Sequence, residues 1–333
     1  MGVGIIVRKS GSGNLKQGLS NFFGNTFTPC GAHGRNGPTL ETCRDYYKMD
    51  WALDNDSFTH KTQGIQQLTI PRNGYYFVLA AGAQGGNATS TNSPPQVIRR
   101  GGRGMVVRGT VYLYEGQKIN IIAGQQGGGI STTRFSLQIS ERSGGGGGSF
   151  VWIDENDIPL ICAGGGGGAS GDPGTGQVGI DAQTGTSGTR SGSNNGTAGT
   201  DGNGAVSSGG SFRAGAGAGF FTNGSGAGSG RDGLSPLNGG LGGTCNPSSG
   251  HEYDGGFGGG GADARLNSTS YDSEGIGGGG GYSGGAGGNE SGDEAGGGAG
   301  SYACGDRILN PLIGGLNSGD GYVSIIYTGK NYE

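Results

Sequence analysis

The chain of 333 residues lacks any apolar run of about 18 residues or more, so no segment is expected to cross a bilayer as a helix. Charged residues make up only 14%, and a net charge of −4 gives no strong attraction to nucleic acid or to an anionic membrane. Prolines number only 10 and no strict Gly-X-Y period persists, which excludes a collagen triple helix. The apolar run in Met1–Val7 is too short for a signal peptide. We therefore expect either that the chain is not secreted by that route or that its natural start differs.

Glycine supplies 86 residues, several times its usual share, and much of it lies in runs such as 144–148 and 164–168. A glycine run has no side chain to bury, so on its own it should be a flexible linker. The flanks of these two runs argue for order, because Ser149–Ile153 and Pro159–Ala163 predict an apolar β-hairpin that must pack against a core. Disordered low-complexity chain is the alternative, and it stays open above all for 170–250.

Other strand patterns occur before and after these runs. Ile65–Ile70 and Tyr75–Ala81 flank a Pro- and Asn-Gly-containing turn, which predicts a hairpin. Met105–Tyr114 and Gln117–Ala123 flank Glu115 and Gly116 in the same manner, and together these strands predict an antiparallel sandwich.

Aliphatic residues almost vanish between Ala169 and Ser301, and sheet character is expected to resume only at Tyr322–Thr328. A single closing strand must rejoin the first sheet, so the glycine-rich part is predicted to be an insertion. Extended threefold helices have no internal hydrogen bonds, and only glycine lets several of them approach closely enough to bond laterally. We therefore predict a bundle of polyglycine helices.

Five cysteines leave several pairings open. Cys30 and Cys43 flank a glycine-rich turn and the start of a short helix near Pro38, and a disulfide there would add about 3 kcal/mol. Two free thiols are the alternative. Cys162 lies in an apolar strand and is expected to be buried. Cys245 and Cys304 bracket the last glycine runs and are expected to be bridged.

Several segments together form a more specific pattern: Thr28–Cys43, Gln63–Gln66, Ile70–Pro71 with Tyr75, Gly82–Gly85, Gly124–Gly127 and the glycine-rich flanks of Pro159–Ile161. In these segments, and in the same order over roughly 25–328, the chain resembles the glycine-rich extracellular domain of the anaplastic lymphoma kinase and leukocyte tyrosine kinase receptors. The resemblance implies a mainly β fold: a TNF-like antiparallel jelly-roll sandwich with an inserted bundle of polyglycine II helices. It also implies a Cys30–Cys43 pair and a non-catalytic domain, which in those receptors binds a small protein cytokine.

The expected organisation is an N-terminal tail at 1–24, the sandwich at 25–163 and 306–330, and the glycine-rich insertion at 164–305. No kinase or membrane-spanning helix accompanies it. Acidic residues that contact the basic ligand in the receptors correspond here to Ser318 and Tyr322, with Asp320 between them, so ligand specificity is not transferred.

Catalytic motifs are weak. Gly281–Gly285 matches G-x-S-x-G, but a nucleophile elbow needs a strand before it and a helix after it, and both flanks are glycine. His33, His60 and His251 are scattered, and the cluster of Arg99, Arg100, Arg103 and Arg108 is expected to be a solvated loop. We expect no enzyme, no catalytic residue, no cofactor, no metal site and no nucleic-acid partner.

The remaining hypotheses come from two classes. The first is a non-enzymatic recognition protein at an extracellular or particle surface that binds a protein or glycan on another surface, without direct insertion into a membrane. The second is a structural subunit of a fibre, coat or virion that binds neighbouring subunits; a cytokine-binding receptor ectodomain fragment is a further alternative. Segments rich in aromatic and small polar residues suit recognition. The candidate partner-binding residues are Phe220, Phe221, Asn223, Tyr253, Asp320 and Tyr322.

Overall fold

The computed structural model describes residues 24–89, 97–129, 142–171, 176–190, 196–207, 214–227, 231–245, 253–264, 275–288 and 294–331. Of the predicted tail at 1–24, all but Gly24 lies outside the described residues, as do parts of 170–250. The helices are α1 (Leu40–Tyr47) and α2 (Asp50–Leu53), with 3-10 turns at Glu155–Asp157 and Pro236–Asn238. The strands are β1 (Gly24–Phe27), β2 (Phe58–Thr62), β3 (Ile65–Thr69), β4 (Gly74–Ala81), β5 (Ala88–Thr89), β6 (Ile98–Arg99), β7 (Gly104–Leu113), β8 (Lys118–Ile122), β9 (Ser149–Ile153), β10 (Ile158–Ala163), β11 (Tyr302–Ala303), β12 (Ile308–Asn317) and β13 (Tyr322–Gly329).

These strands form a mainly β structure in which every ladder between named strands is antiparallel. A five-stranded sheet has the order β1-β13-β4-β7-β12, and a six-stranded sheet has the order β11-β10-β9-β8-β3-β2. A small sheet pairs β5 with β6. The returning strand β13 lies between β1 and β4, which confirms that the end of the described chain rejoins the first sheet.

The two large sheets share one apolar core. Val78 and Ile325 from the five-stranded sheet and Leu68, Ile121 and Val151 from the six-stranded sheet are all fully buried in it. Period-two alternation explains this packing, since every second side chain of a strand points to the same face. The hairpin of β9 and β10 is confirmed, with Phe150 opposite Cys162.

Two predicted hairpins are wrong. The turn after β3 leads to β4 in the other sheet, and the turn after β7 leads to β8 in the other sheet. Short connections with turn chemistry therefore cross between sheets here instead of joining neighbours. Sheet character also returns earlier than Tyr322, at β11 and β12. The register shifts twice along β12 and its residues do not alternate regularly, which removed the signal on which that prediction relied.

The predicted short helix near Pro38 is confirmed as α1, although it begins at Leu40. The Thr39 hydroxyl caps it by accepting a hydrogen bond from the Thr42 N–H at 3.1 Å. Pro38 lies just before this cap instead of at the first helical position.

The glycine segments are buried, and their backbone groups bond laterally to other segments. Successive N–H groups of the run 144–148 donate hydrogen bonds to three neighbouring segments in turn. The donor–acceptor pairs are Gly144 to Gly128, Gly145 to Gly261, Gly146 to Gly166, Gly147 to Gln125 and Gly148 to Gly258, at N···O distances of 2.8–3.0 Å. Every third N–H of the run therefore donates to the same neighbouring segment. In the two segments that accept twice, the residue number of the acceptor falls as that of the donor rises. Neighbouring segments at this run are antiparallel where two bonds define the direction.

The run 164–168 repeats the pattern with other neighbours. Gly165 and Gly168 donate to Gly280 and Gly277, whereas Gly166 and Ala169 donate to Ala83 and Gly86. The first neighbour is therefore antiparallel to the run and the second is parallel to it. Both directions occur because each segment is bonded on several sides and not only within a flat sheet.

This packing leaves no room for side chains. A Cβ placed on Gly167 would lie 1.9 Å from the carbonyl oxygen of Gly296, and one on Gly147 would lie 1.7 Å from that of Phe257. Backbone atoms occupy the place where a side chain would stand. Glycine is therefore required at these positions for close approach and not for a positive φ.

Aromatic side chains fasten the glycine segments to the outer side of the six-stranded sheet. Phe150 and Trp152 of β9 point away from the main core into a second buried cluster, where Phe220 and Phe257 from the glycine-rich part meet them. The Phe220 ring lies 6.0 Å from that of Trp152 at an interplanar angle of 82°. At β9 the six-stranded sheet is thus buried on both faces, which explains the continuous apolar sequence of this strand.

The first prediction concerns this close approach. Gly167→Ala should lower the free energy of unfolding by about 2 kcal/mol or more, because its Cβ must displace a backbone carbonyl. Gly185→Ala is the matched control, since a Cβ there meets nothing within 4 Å, and it should leave stability unchanged or raise it by about 0.5 kcal/mol. Thermal and denaturant unfolding measure both. Equal stability of the two variants would contradict the packing described.

The second prediction concerns His60 on β2. Both ring nitrogens are buried with no hydrogen-bond partner among the described residues, and the ring packs edge-on against Phe58 at 5.9 Å. Burial, with the positive charge of Arg44 adding to it, lowers the pKa of His60 to about 4 from its ordinary 6.5. The unfolded chain therefore binds a proton at higher pH than the folded chain, so stability is lost as pH falls from about 6.5 to 4.

The loss should amount to at most about 3 kcal/mol. His60→Leu removes the titrating group, so the stability of the wild type relative to this variant should fall over the same pH window. Comparing the two proteins cancels the titration of carboxylates. If the difference in unfolding free energy between the wild type and His60→Leu stays constant from pH 7 to pH 4, His60 is not a buried neutral imidazole.

Candidate partner-binding surface

The face of the five-stranded sheet that points away from the core carries several exposed and half-buried apolar side chains. Along β4, Tyr76, Val78 and Ala80 are fully buried, whereas the alternate residues Phe77 and Leu79 are half-buried and point outward. We call this surface the outer sheet face. It comprises Tyr75, Phe77, Leu79, Arg108, Thr110, Tyr112, Leu309, Leu312, Tyr322, Ser324 and Ile326.

Strand register places these side chains in rows. Ile326 lies opposite Phe77, Phe77 opposite Thr110, and Thr110 opposite Leu309. A second row runs from Ser324 through Leu79 and Arg108 to Leu312. In the first row Ile326 is 45% exposed and Leu309 is 40% exposed, so this row has open apolar side chains on both sides of the half-buried Phe77 and Thr110. The second row ends in Leu312, which is 47% exposed.

Tyrosines extend the outer sheet face at one end. Tyr75 and Tyr112 lie opposite each other and meet edge to face at 5.0 Å, and Tyr114 packs against Tyr112 at 5.1 Å. Aromatic side chains with exposed hydroxyls give large contact area together with hydrogen-bonding capacity.

Charge is nearly absent from this surface. Arg108, which is exposed at the centre of the second row, is the only charged residue in the five strands as described. An apolar surface around one guanidinium can bury apolar side chains of a partner and pair with one carboxylate.

Two predicted partner-binding residues are buried. Phe220 is fully buried between Phe150 and Trp152, and Tyr253 is only 6% exposed in a cluster with Cys245 and Ala262. Their burial gives no support to a contact of these two side chains with a partner, which stays a prediction. Their aromatic surface contributes to internal packing in a region that has few other large side chains.

Phe221 and Asn223 have different roles. Phe221 is 44% exposed and stays a candidate. The Asn223 carboxamide oxygen accepts hydrogen bonds from the Ser235 N–H and from Asn238 Nδ2, both at 2.9 Å. Asn223 therefore fixes the neighbouring turn, and its interaction with a partner stays a prediction.

Asp320 and Tyr322 lie at the start of β13. Asp320 Oδ1 accepts a hydrogen bond from the Gln126 N–H at 2.8 Å, and Oδ2 lies 3.7 Å from Nδ1 of His33. This carboxylate links a glycine-rich segment to the last strand. Tyr322 points outward with Ser324 and Ile326, so it is the one predicted residue that lies on the outer sheet face.

No disulfide joins any of the five cysteines. Cys30 and Cys43 nevertheless lie close enough for their side chains to form a hydrogen bond. This bond lowers the pKa of Cys30, and the same bond together with burial raises the pKa of Cys43. The structure brings this predicted pair together but does not join it, so the Cys30–Cys43 crosslink stays a prediction.

Cys245 and Cys304 are not joined either, and the structure gives no support to their predicted bridge. Cys245 lies in the small cluster with Tyr253, whereas Cys304 belongs to the main core and donates its N–H to the Leu160 carbonyl of β10 at 2.9 Å. The pairing of β11 with β10 holds Cys304 at the six-stranded sheet and near Cys162.

The third prediction concerns these thiols. With oxidised glutathione at mildly alkaline pH, Cys30 and Cys43 should form a disulfide. The lowered pKa of Cys30 favours its thiolate, which attacks the glutathione disulfide and releases one reduced glutathione, and Cys43 then displaces the second. Peptide mapping without reduction measures this, and Cys245 should remain open to alkylation after unfolding. Recovery of Cys30 and Cys43 as two alkylated thiols after oxidation would contradict the prediction.

The described residues contain neither a metal-binding cluster nor a membrane-spanning helix. No group of three or more His, Cys, Asp or Glu side chains in that part of the chain could hold a metal ion. No helix found there combines the length and apolar character needed to cross a membrane.

Sequence reasoning missed most of the outer sheet face. Leu309 and Leu312 belong to β12, where Pro311 and two register shifts disturb the alternation. The outward residues of β4 and β7 were visible as the second set of the period-two pattern. They gave no signal because a single strand does not show which of its two faces is covered.

Comparison with known proteins finds a distant similarity to a receptor. A stretch of 101 residues is 30% identical to the leukocyte tyrosine kinase receptor of Mus musculus, and it covers 30% of this chain. The chain matches only 11% of the length of that receptor. No protein-family model matches the chain. The match supports a distant relation to that receptor and is compatible with a receptor-like or surface role.

Proposed function

We propose that this protein is a non-enzymatic recognition protein that binds a protein partner through the outer sheet face. The observation that carries the proposal is the difference between the two sheets. Glycine-rich segments cover the outer side of the six-stranded sheet, whereas the described chain leaves the apolar outer sheet face open. Exposed contiguous apolar surface of this kind marks interaction sites.

The partner is a protein with an apolar contact surface and a carboxylate placed to meet Arg108. The half-buried Phe77 and Leu79 suit an anchoring cluster, and the polar side chains of Ser324 and Thr110 beside them suit hydrogen bonds. The distant relation to a receptor supports a location at an extracellular or particle surface.

The proposal takes the fold as a TNF-like jelly roll with an inserted bundle of polyglycine II helices. Two antiparallel sheets around one core support the first part. The lateral bonding with a period of three supports the second, because a threefold extended helix has three residues per turn and no internal hydrogen bonds.

A non-enzymatic role is supported at the one motif that suggested catalysis. Ser283 is fully buried, and its hydroxyl oxygen accepts a hydrogen bond from the Gly202 N–H at 3.0 Å. A serine held in this way among glycine segments stabilises a turn and lacks the strand and helix of a nucleophile elbow.

The fourth prediction tests the outer sheet face. Leu312→Lys and Ile326→Lys should each weaken capture of the native protein partner by about tenfold or more, because each places a charge in an apolar contact. Val178→Lys is the matched control, since Val178 is 63% exposed in the glycine-rich part, and it should bind as the wild type does. Crosslinking mass spectrometry on the captured partner should place its contacts on β4, β7, β12 and β13.

Light scattering on the purified protein separates recognition from assembly. A monomer is expected for a recognition protein. Self-association that Leu312→Lys abolishes would instead favour a structural subunit of a fibre, coat or virion. Equal partner capture by all three variants, with crosslinks elsewhere, would reject the outer sheet face.

A further inference from the structure

Three aromatic rings form a partly exposed ledge where the glycine-rich part meets the six-stranded sheet. The rings of Tyr282 and Tyr302 stack in parallel, with centroids 4.4 Å apart and planes 12° apart. Phe221 meets Tyr282 at 6.4 Å and 71°. Tyr282 and Tyr302 are half-buried and Phe221 is exposed. We call these three residues the aromatic ledge.

The backbone behind the aromatic ledge is fixed. Phe221 donates its N–H to the Gly202 carbonyl at 2.9 Å, and Tyr282 donates to the Gly300 carbonyl at 2.9 Å. Phe220, which donates to the Tyr282 carbonyl at 2.8 Å, lies buried against the sheet behind them. Little ordering of this surface would be needed on binding, which favours affinity for a small ligand.

A polar turn borders the aromatic ledge. The Asn203 N–H closes this turn by donating to the Thr200 carbonyl at 2.9 Å, with Asp201 at φ 52° and Gly202 at φ 81°. A Cβ on Gly202 would lie 2.4 Å from the Phe221 ring and 3.4 Å from the Tyr282 ring, so the turn packs against both aromatics.

The side chains of this turn are open to solvent. Asp201 and Asn203 are both exposed, and the Asn203 carboxamide oxygen lies 3.4 Å from the Thr222 hydroxyl. Burial, with Cys162 and Asp201 adding to it, raises the pKa of Tyr282, so its phenol remains a hydrogen-bond donor at neutral pH.

We propose that the aromatic ledge and the turn at 200–203 form a binding site for a neutral oligosaccharide. The C–H groups of one face of a pyranose ring pack on aromatic rings, while its hydroxyls donate to a carboxylate and exchange hydrogen bonds with a carboxamide. The exposed carboxylate of Asp201 disfavours sialylated or sulfated sugars and the phosphates of nucleic acid. This site is separate from the outer sheet face and does not depend on the function proposed for it.

The fifth prediction tests this site in two stages. The whole protein is first applied to an array of neutral, sialylated and sulfated oligosaccharides, and the neutral oligosaccharide that gives the strongest signal is then titrated by calorimetry. Phe221→Ala and Asp201→Asn should each raise its Kd by about tenfold, through loss of stacking and of the carboxylate acceptor respectively. Asp201→Asn tests the site without altering packing, since asparagine also tolerates a positive φ.

Leu237→Ala is the control, because Leu237 is 36% exposed elsewhere in the glycine-rich part, and it should bind as the wild type does. Circular dichroism and thermal unfolding check that all variants fold. An oligothymidine is applied as a nucleic-acid probe. The proposal is overturned if no neutral oligosaccharide binds, or if only acidic sugars or the oligothymidine bind. It is also overturned if folded Phe221→Ala and Asp201→Asn both keep the wild-type Kd. Loss of sugar binding in these variants with unchanged partner capture would leave the outer sheet face unaffected.

Discussion

Buried backbone groups need hydrogen-bond partners, and this requirement shapes the glycine-rich half of the molecule. In most folds a helix or a sheet satisfies such groups and side chains fill the core. Here segments such as 144–148 and 164–168 bond to neighbours on several sides, and their backbones fill the space themselves. The absence of Cβ atoms allows this contact, so glycine acts as the packing residue.

This mode of packing explains why the two sheets end in different environments. Glycine segments offer no apolar side chains, so Phe220 and Phe257 are needed to fasten them to Phe150 and Trp152. The six-stranded sheet becomes an internal layer. Among the described residues, the five-stranded sheet keeps one solvent-facing side, and apolar residues there such as Leu312 and Ile326 lie outside the main core. The proposed binding role would account for these exposed apolar side chains.

Much of the strand pattern could be predicted from sequence, because β4, β7 and β9 carry clear period-two or continuous apolar signals. Pairing was harder to predict. Turns at Pro71–Gly74 and at Glu115 and Gly116 have hairpin chemistry but connect different sheets, since the sheet that receives a strand depends on contacts distant in sequence. The candidate surfaces illustrate the same limit. Phe220 and Phe221 are adjacent and chemically identical, yet Phe220 is buried and Phe221 is exposed. The difference depends on packing of Phe220 against Phe150 and Trp152, which are distant in sequence.

The hydrogen bonds between glycine segments join parts of the chain that are far apart in sequence, and this determines when they can form during folding. The partners of Gly165 and Gly167 include Gly280, Ile180 and Gly102, which are far apart along the chain. Loop-closure entropy must be overcome before any of these contacts forms, and such non-local topologies fold slowly. Phe220 and Phe257, which cover the outer face of β9, follow the hairpin of β9 and β10 in sequence. During synthesis this apolar face therefore stays uncovered until both have been added, and exposed apolar surface of this kind favours aggregation.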